Sequence, residues 1–500
     1  MNVNPITRLD YPDPDVIRVE DTYYMVSTTM HFMPGCEILQ SFDLVHWEHV
    51  TYVYETLDHT DAQQLKSGQN IYGQGMWAAS LRYHEGRFCI CFVANDTRKT
   101  YLYTSEKIDG PWKKQLIEGF YHDGSLLFDE DGRNYIVYGN DEIWITELNE
   151  DLTAPKKDGL HRLLVSDHKN PELGYEGSHI QKINGYYYIF LVHSLRDRWM
   201  RTEACFYSDS LEGEFTGGDV LCDDRGYCGQ GVAQGGIVDT PDGKWYAMLF
   251  QDSGAVGRIP ILLPVTWKDH FPFFGQNGHV PEEIEVHSTR PGYIYQPLVG
   301  SDDFCNGLLP RWQFNHDPDP RYYHLDALQG TYTITTREVC TELTQAVNTL
   351  TQRMSYPSCA AEVTVDASAL KEGDVAGLCA LQSCYAAVGI TKHHGKYEVL
   401  MLDKKEDGIL DMTERTVVES HQMDFRLEAD FCNMKDEARC YYRVNKGDWL
   451  PIGTVHKLYF KLDHFTGCRF GLFCYAAEET GGSACFRDFK YYDVDEMSVR

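Results

Sequence analysis

No run of about 18 consecutive apolar residues occurs in this chain of 500, so no membrane-spanning helix is expected. Basic residues are in short supply. Only 45 Lys and Arg stand against 75 Asp and Glu, and a formal charge of −30 would repel a phosphate backbone. Nucleic acid and membrane are therefore not expected as partners, and a neutral substrate is. The 16 cysteines contain no CxxC pair and the histidines no HExxH, so the usual zinc spacings are missing. Scattered Cys beside apolar residues suits buried free thiols in a reducing cytosol, which predicts a cytoplasmic protein. The N-terminus lacks the basic and apolar regions of a secretory leader. Heptads are scarce as well, which speaks against long helices.

Aromatics are plentiful. They make up 13% of the chain, with Tyr alone at 33, and favour strands over helices. A chain of this length exceeds one hydrophobic core, so two domains are expected. Five times in the first half an acidic residue or Asn opens a turn that runs into aromatics: Asp21-Thr22-Tyr23-Tyr24, Glu85-Gly86-Arg87-Phe88, Asp131-Gly132-Arg133-Asn134-Tyr135, Asn184-Gly185-Tyr186-Tyr187 and Asp242-Gly243-Lys244-Trp245-Tyr246. Their spacing matches β-propeller blades with loop insertions. The residue eight positions before each turn is Asp13, Trp77, Asp123, Glu176 or Gln234. If the turn lies at one face, that residue starts the inner strand at the other, and five such positions converge on one channel mouth.

After about residue 295 the pattern changes. Arg290-Pro291-Gly292 and Pro297-Leu298-Val299-Gly300 close the first region. Beyond them come short strands between Gly and Asp turns, such as Ala360–Val365, Tyr397–Met401 and Leu458–Leu462. The predicted fold is all-β: a five-bladed propeller over residues 1–295, then a β-sandwich over 301–500.

Asp13 sits between prolines in Tyr11-Pro12-Asp13-Pro14-Asp15, which stiffen the backbone and suit a carboxylate that fixes a water. Glu176, beside Tyr175 and Gly177, is placed for a partly apolar pocket that suits a general acid. With Asp123 close by, three acids in one channel cannot all ionise independently. One acid and one base across a sugar ring are the machinery of glycoside hydrolysis. Trp77 offers a face for a sugar, and Arg258 is a candidate donor to its hydroxyls.

The set Tyr11–Asp15, Pro34-Gly35, Ser41–Trp47, Gly75–Ala78, His122–Ser125, Glu176–Ile180 and Gln234–Thr240 resembles glycoside hydrolase family 43, which includes β-xylosidases and α-L-arabinofuranosidases. The resemblance implies Asp13 as base, Glu176 as acid and Asp123 as the orienting acid that modulates it. It also implies Arg258 as a sugar-binding arginine, with Phe32 and Trp77 as aromatic contacts. Trp312–Asp319 and Gln345–Arg353 resemble the concanavalin-like sandwich of exo-acting members, where a sandwich loop narrows the site; the segment from Ala476 to Ala484 is the candidate here. Many relatives have a His where this chain has Gln234, which is also counted among the substrate-binding residues. No cofactor is required on this reading, while a central calcium is left open, as is a homo-oligomer. The expected activity is inverting, exo-acting release of terminal β-D-xylose or α-L-arabinofuranose from plant cell-wall oligosaccharides. The alternatives are a non-catalytic sugar-binding propeller and an enzyme for another terminal sugar such as galactose.

Overall fold

A computed structural model describes residues 2–493. Five four-stranded antiparallel sheets follow one another along the chain, each beginning with its innermost strand. Those strands are Asp15–Val19, Met76–His84, Ser125–Phe128, Glu176–Ile183 and Val232–Asp239, and they touch in ring order. The second strands are Thr22–Val26, Arg87–Ala94, Asn134–Asn140, Tyr186–Ser194 and Trp245–Asp252. They contain the aromatic runs that the turns announce.

The composition of these second strands follows from their position between neighbouring blades. Tyr187, Ile189 and Leu191 pack against blade three, while Tyr188 and Phe190 pack against blade five. Both faces are buried, so apolar residues run on without alternation. Glu85-Gly86 and Asn184-Gly185 turn their hairpins with φ of 48°, 78°, 50° and 83°. Two consecutive left-handed residues make the tight hairpin turn that Asn-Gly favours. The ring closes through a two-residue pairing of Asn2–Val3 with Glu283–Ile284, and each blade takes its four strands from one continuous segment.

The second domain is a sandwich of an eight-stranded and a seven-stranded sheet around one large apolar core. One strand of the larger sheet comes from the propeller. Phe32–Met33, in blade one's loop, pairs antiparallel with Gln313–Asn315 at that sheet's edge. Beside it, Arg353 reaches into the propeller and donates to Asp10 O at 2.9 Å, Tyr11 Oη at 3.2 Å and Glu37 Oε2 at 2.9 Å. Burial pushes the Glu37 carboxyl up, but Arg353 and His49 outweigh it and hold it at about 2.

Leu458–Leu462 is not a strand. The preceding strand ends at Lys457, Leu458 is buried and Leu462 is 74% exposed. The segment is a loop with one end anchored in the sandwich core. The loop then crosses to the propeller, where Gly467 N–H donates to Asp10 Oδ2 at 2.8 Å and Cys468 N–H to Ala255 O at 2.8 Å. A Cβ on Gly467 would lie 2.1 Å from Val256 O, so only glycine permits this approach.

Candidate active site

All five positions of the eight-residue register meet in one cavity of about 30 Å³ at the propeller mouth, lined by Asp13, Trp77, Asp123, Glu176 and Gln234 together with Arg258. Backbone geometry explains why they turn inward. Asp13, Asp123 and Gln234 have φ of 52°, 47° and 63°, and Gly177, after Glu176, has φ of 64°. In blades two, four and five the register residue also sits in an irregularity of the inner ladder, between Met76 and Ala79, Glu176 and His179, and Ala233 and Gly236. A bulge re-aims a side chain that regular pleating would send into a blade.

Asp13 is buried and held from two sides. Thr28 Oγ1 donates to its Oδ2 at 2.6 Å and Arg258 Nη1 to its Oδ1 at 3.1 Å. Arg258 is itself buried, its main chain fixed by Asp10 Oδ1 at 2.7 Å. Across the channel, Asp123 Oδ2 accepts the Gly177 amide at 3.1 Å, and Glu176 Oε2 accepts Asn140 Nδ2 at 2.8 Å. His122 Nε2 lies between them, 3.5 Å from Asp123 and 3.6 Å from Glu176. Burial, with the nearby charges of Glu176 and Asp13, pushes the Asp123 carboxyl up to about 6, against the pull of His122. Asp123 in turn, with Glu176, pushes His122 up to about 9 despite its burial. The crowding of acids thus shows in the raised values of Asp123 and His122, which lie 3.5 Å apart.

Gln234 packs against Gly177, where an added Cβ would lie 2.8 Å from Gln234 Cγ. Its backbone N–H donates to Glu203 Oε2 at 2.7 Å, and burial holds the Glu203 carboxyl well above its usual range. The donors near the channel axis do not fit a calcium ion. Asp15 already accepts Leu81 N–H at 2.7 Å and Arg82 Nη1 at 2.8 Å, and meets His179 Nδ1 at 3.1 Å. Gln234 adds an amide oxygen, which can ligate calcium but brings no charge to replace that of the already paired Asp15. Among the described residues, His122, Asp123 and Glu176 form the one group whose donor atoms lie close enough to share a cation.

Phe32 is not brought to the cavity. It lies at the domain junction, with the Arg469 guanidinium 3.5 Å above its ring, because its strand serves the sandwich sheet. The sandwich does wall the cavity, but through Phe465 rather than the segment from Ala476 to Ala484. Phe465 lies 4.4 Å from the Arg258 guanidinium and 5.6 Å from Trp77. Ala476 instead bridges Val339, and Gly482 O accepts the Thr336 amide within the sandwich. Sequence reasoning missed Phe465, Arg201, Thr28 and the role of His122. His122 could have been found, since it adjoins Asp123.

A larger cavity, about 480 Å³, opens at the opposite end of the channel. Its charges are mutually paired, Arg18 with Asp239 and Lys182 with Asp129, so it lacks the facing acids that chemistry on a sugar needs.

A propeller whose mouth gathers three carboxyls, an arginine and a tryptophan around one cavity has the makings of a glycoside hydrolase. The family comparison agrees: residues 3–272 match the model of glycosyl hydrolases family 43 and residues 301–492 that of the β-xylosidase C-terminal concanavalin A-like domain. The chain belongs to glycosyl hydrolase family 43 and is a glycosidase of the xylosidase/arabinofuranosidase type. It is 27% identical to a β-xylosidase of Formosa agariphila over 99% of this chain and 89% of that one. It is 24% identical to a non-reducing-end α-L-arabinofuranosidase of Bacteroides ovatus over 82% of this chain and 79% of the relative. A solved bifunctional GH43-CE protein of Bacteroides eggerthii superposes with a TM-score of 0.92 at 42% identity, covering 98% of this chain but only 63% of that one.

Proposed function

We propose that the protein is an inverting exo-glycosidase that removes terminal β-D-xylose or α-L-arabinofuranose from plant cell-wall oligosaccharides. The observation that carries this reading is the division of the carboxyls. Asp13 is fixed by Thr28 and Arg258 on one side of the cavity, while Asp123 and Glu176 flank His122 on the other. Asp13 takes a proton from water as that water attacks the anomeric carbon. Glu176 gives its proton to the departing glycosidic oxygen, and Asp123 orients it and opposes its ionisation. Arg258 keeps Asp13 in place and offers donors to sugar hydroxyls. Trp77, whose buried indole N–H has no protein acceptor, borders the same sugar. Phe465 closes the cavity from the sandwich side, which supports removal of single end sugars. The relatives named as a β-xylosidase and an arabinofuranosidase support both sugars. All 16 cysteines are free, which supports a reducing, cytoplasmic setting.

A panel of chromogenic monosaccharide glycosides identifies the sugar, and proton NMR of the first-formed anomer identifies the stereochemistry. Inverted configuration is expected; a retained one removes Asp13 from the role of water activator. Glu176→Gln should abolish hydrolysis and keep sugar binding, and undiminished turnover would overturn the assignment.

A further inference from the structure

The rim of the cavity carries a feature that this chemistry does not use. Blade four's second strand, Tyr186–Ser194, joins the third, Arg201–Ser208, through residues 195–200 on the cavity side of the propeller. The loop is pinned at its base: Leu195 N–H donates to Met200 O at 3.1 Å, and Met200 N–H to Ser194 Oγ at 2.9 Å. Trp199 stands on this loop 45% exposed, the only tryptophan among the large exposed apolar side chains of the described residues.

Two residues on, Arg201 is buried and lines the catalytic cavity. The Arg201 guanidinium carbon lies 5.2 Å from the Trp199 ring and 5.2 Å from the Phe250 ring. Its Nε donates to Asp252 Oδ2 at 2.8 Å, which fixes the side chain. Among the described residues its other N–H groups have no protein acceptor, and they are not sealed from solvent. An exposed indole thus lies against a guanidinium that lines the cavity.

We propose that Trp199 and Arg201 form the subsite for the leaving half of the substrate, and that the occupant is a pyranose with a flat apolar face, a β-linked xylosyl unit. The indole packs on that face and Arg201 donates to the ring's hydroxyls. An exposed tryptophan held on a pinned loop loses little conformational freedom when a ring stacks on it. A xylosyl leaving unit serves whichever pentose is cleaved, since either sugar can end or decorate a xylose chain. The inference rests on the glycosidase reading above.

Trp199→Ala and Trp199→Phe test it, because substitution at an exposed loop position leaves the fold intact and melting temperature checks this. The substrates are xylobiose, xylotriose, an arabinofuranosyl xylo-oligosaccharide and the matching methyl glycosides. For Trp199→Ala, kcat/KM on the oligosaccharides cleaved by the wild type should fall about tenfold, mainly through KM. Trp199→Phe should restore most of it. Turnover of the methyl glycosides and competitive inhibition by the released monosaccharide should stay within about twofold. Equal losses on methyl glycosides and oligosaccharides, or no loss on oligosaccharides, would overturn the subsite while leaving the activity assigned. A wild-type protein inert toward all of them would instead overturn the glycosidase reading and the subsite with it.

Discussion

The amide of Gly177 donates to Asp123 Oδ2 at 3.1 Å, so the residue that follows Glu176 is tied to the neighbouring acid. This bond couples two blades at the point where their carboxyls would otherwise repel. It depends on the left-handed backbone at Gly177, with φ of 64°, and on space beside Gln234. Gly177→Ala strains the backbone and places a methyl group 2.8 Å from Gln234 Cγ. The expected result is a loss of kcat of about 10²-fold or more with a melting temperature a few degrees lower. Steady-state kinetics and calorimetry measure both.

Asp13→Asn keeps the shape of the side chain and its contact with Thr28, but cannot accept a proton from water. A fall in kcat of about 10²- to 10⁴-fold is expected, with KM little changed. Activity returning on addition of azide as an external nucleophile would confirm that attack on the sugar is the step affected.

His122 supplies a pH signature. Its proton is held up to about 9, against a free value of 6.5. A raised histidine value stabilises the fold fully below about 6.5, and that contribution is lost as pH rises to about 9. The melting temperature should therefore decline across this window, and the decline should be shallower in His122→Asn. Equal slopes in the two proteins would remove His122 as the source of the decline.

Arg353→Ala leaves Glu37 buried without its strongest partner. A destabilisation of about 3–5 kcal/mol is expected from denaturant unfolding. Glu37 is held at about 2 in the folded protein, against 4.5 when free, so its contribution is present above about 4.5 and lost as pH falls towards 2. The variant should lose less stability than the wild type over that acid range.

The propeller was legible because each blade repeats one local grammar: a turn residue, then aromatics, with the site residue at a fixed distance upstream. The distance is meaningful because the inner strand runs from the cavity to the turn, so Asp13, Trp77, Asp123, Glu176 and Gln234 all reach the same mouth. Contacts across domains leave no such trace. Phe32 entered the expected site through the family resemblance alone, and its two-residue strand belongs to the other domain's sheet. Phe465 lies just beyond the segment Leu458–Leu462 that reads as a strand in the sequence, and the passage of Gly467 against Val256 brings this loop to the propeller. Arg201 was invisible for a different reason: it enters the cavity from a third strand, outside the repeat.

The shared edge formed by Phe32–Met33 and Gln313–Asn315 has a consequence for how this enzyme can diversify. A substitution in the sandwich that shifts this edge also shifts blade one and, through the loop carrying Phe465, the wall facing the sugar. Selection on substrate preference can therefore act through residues of the second domain that never touch the substrate. The two domains are inherited as one unit of specificity, and an exchange of sandwiches between relatives would exchange part of the active site.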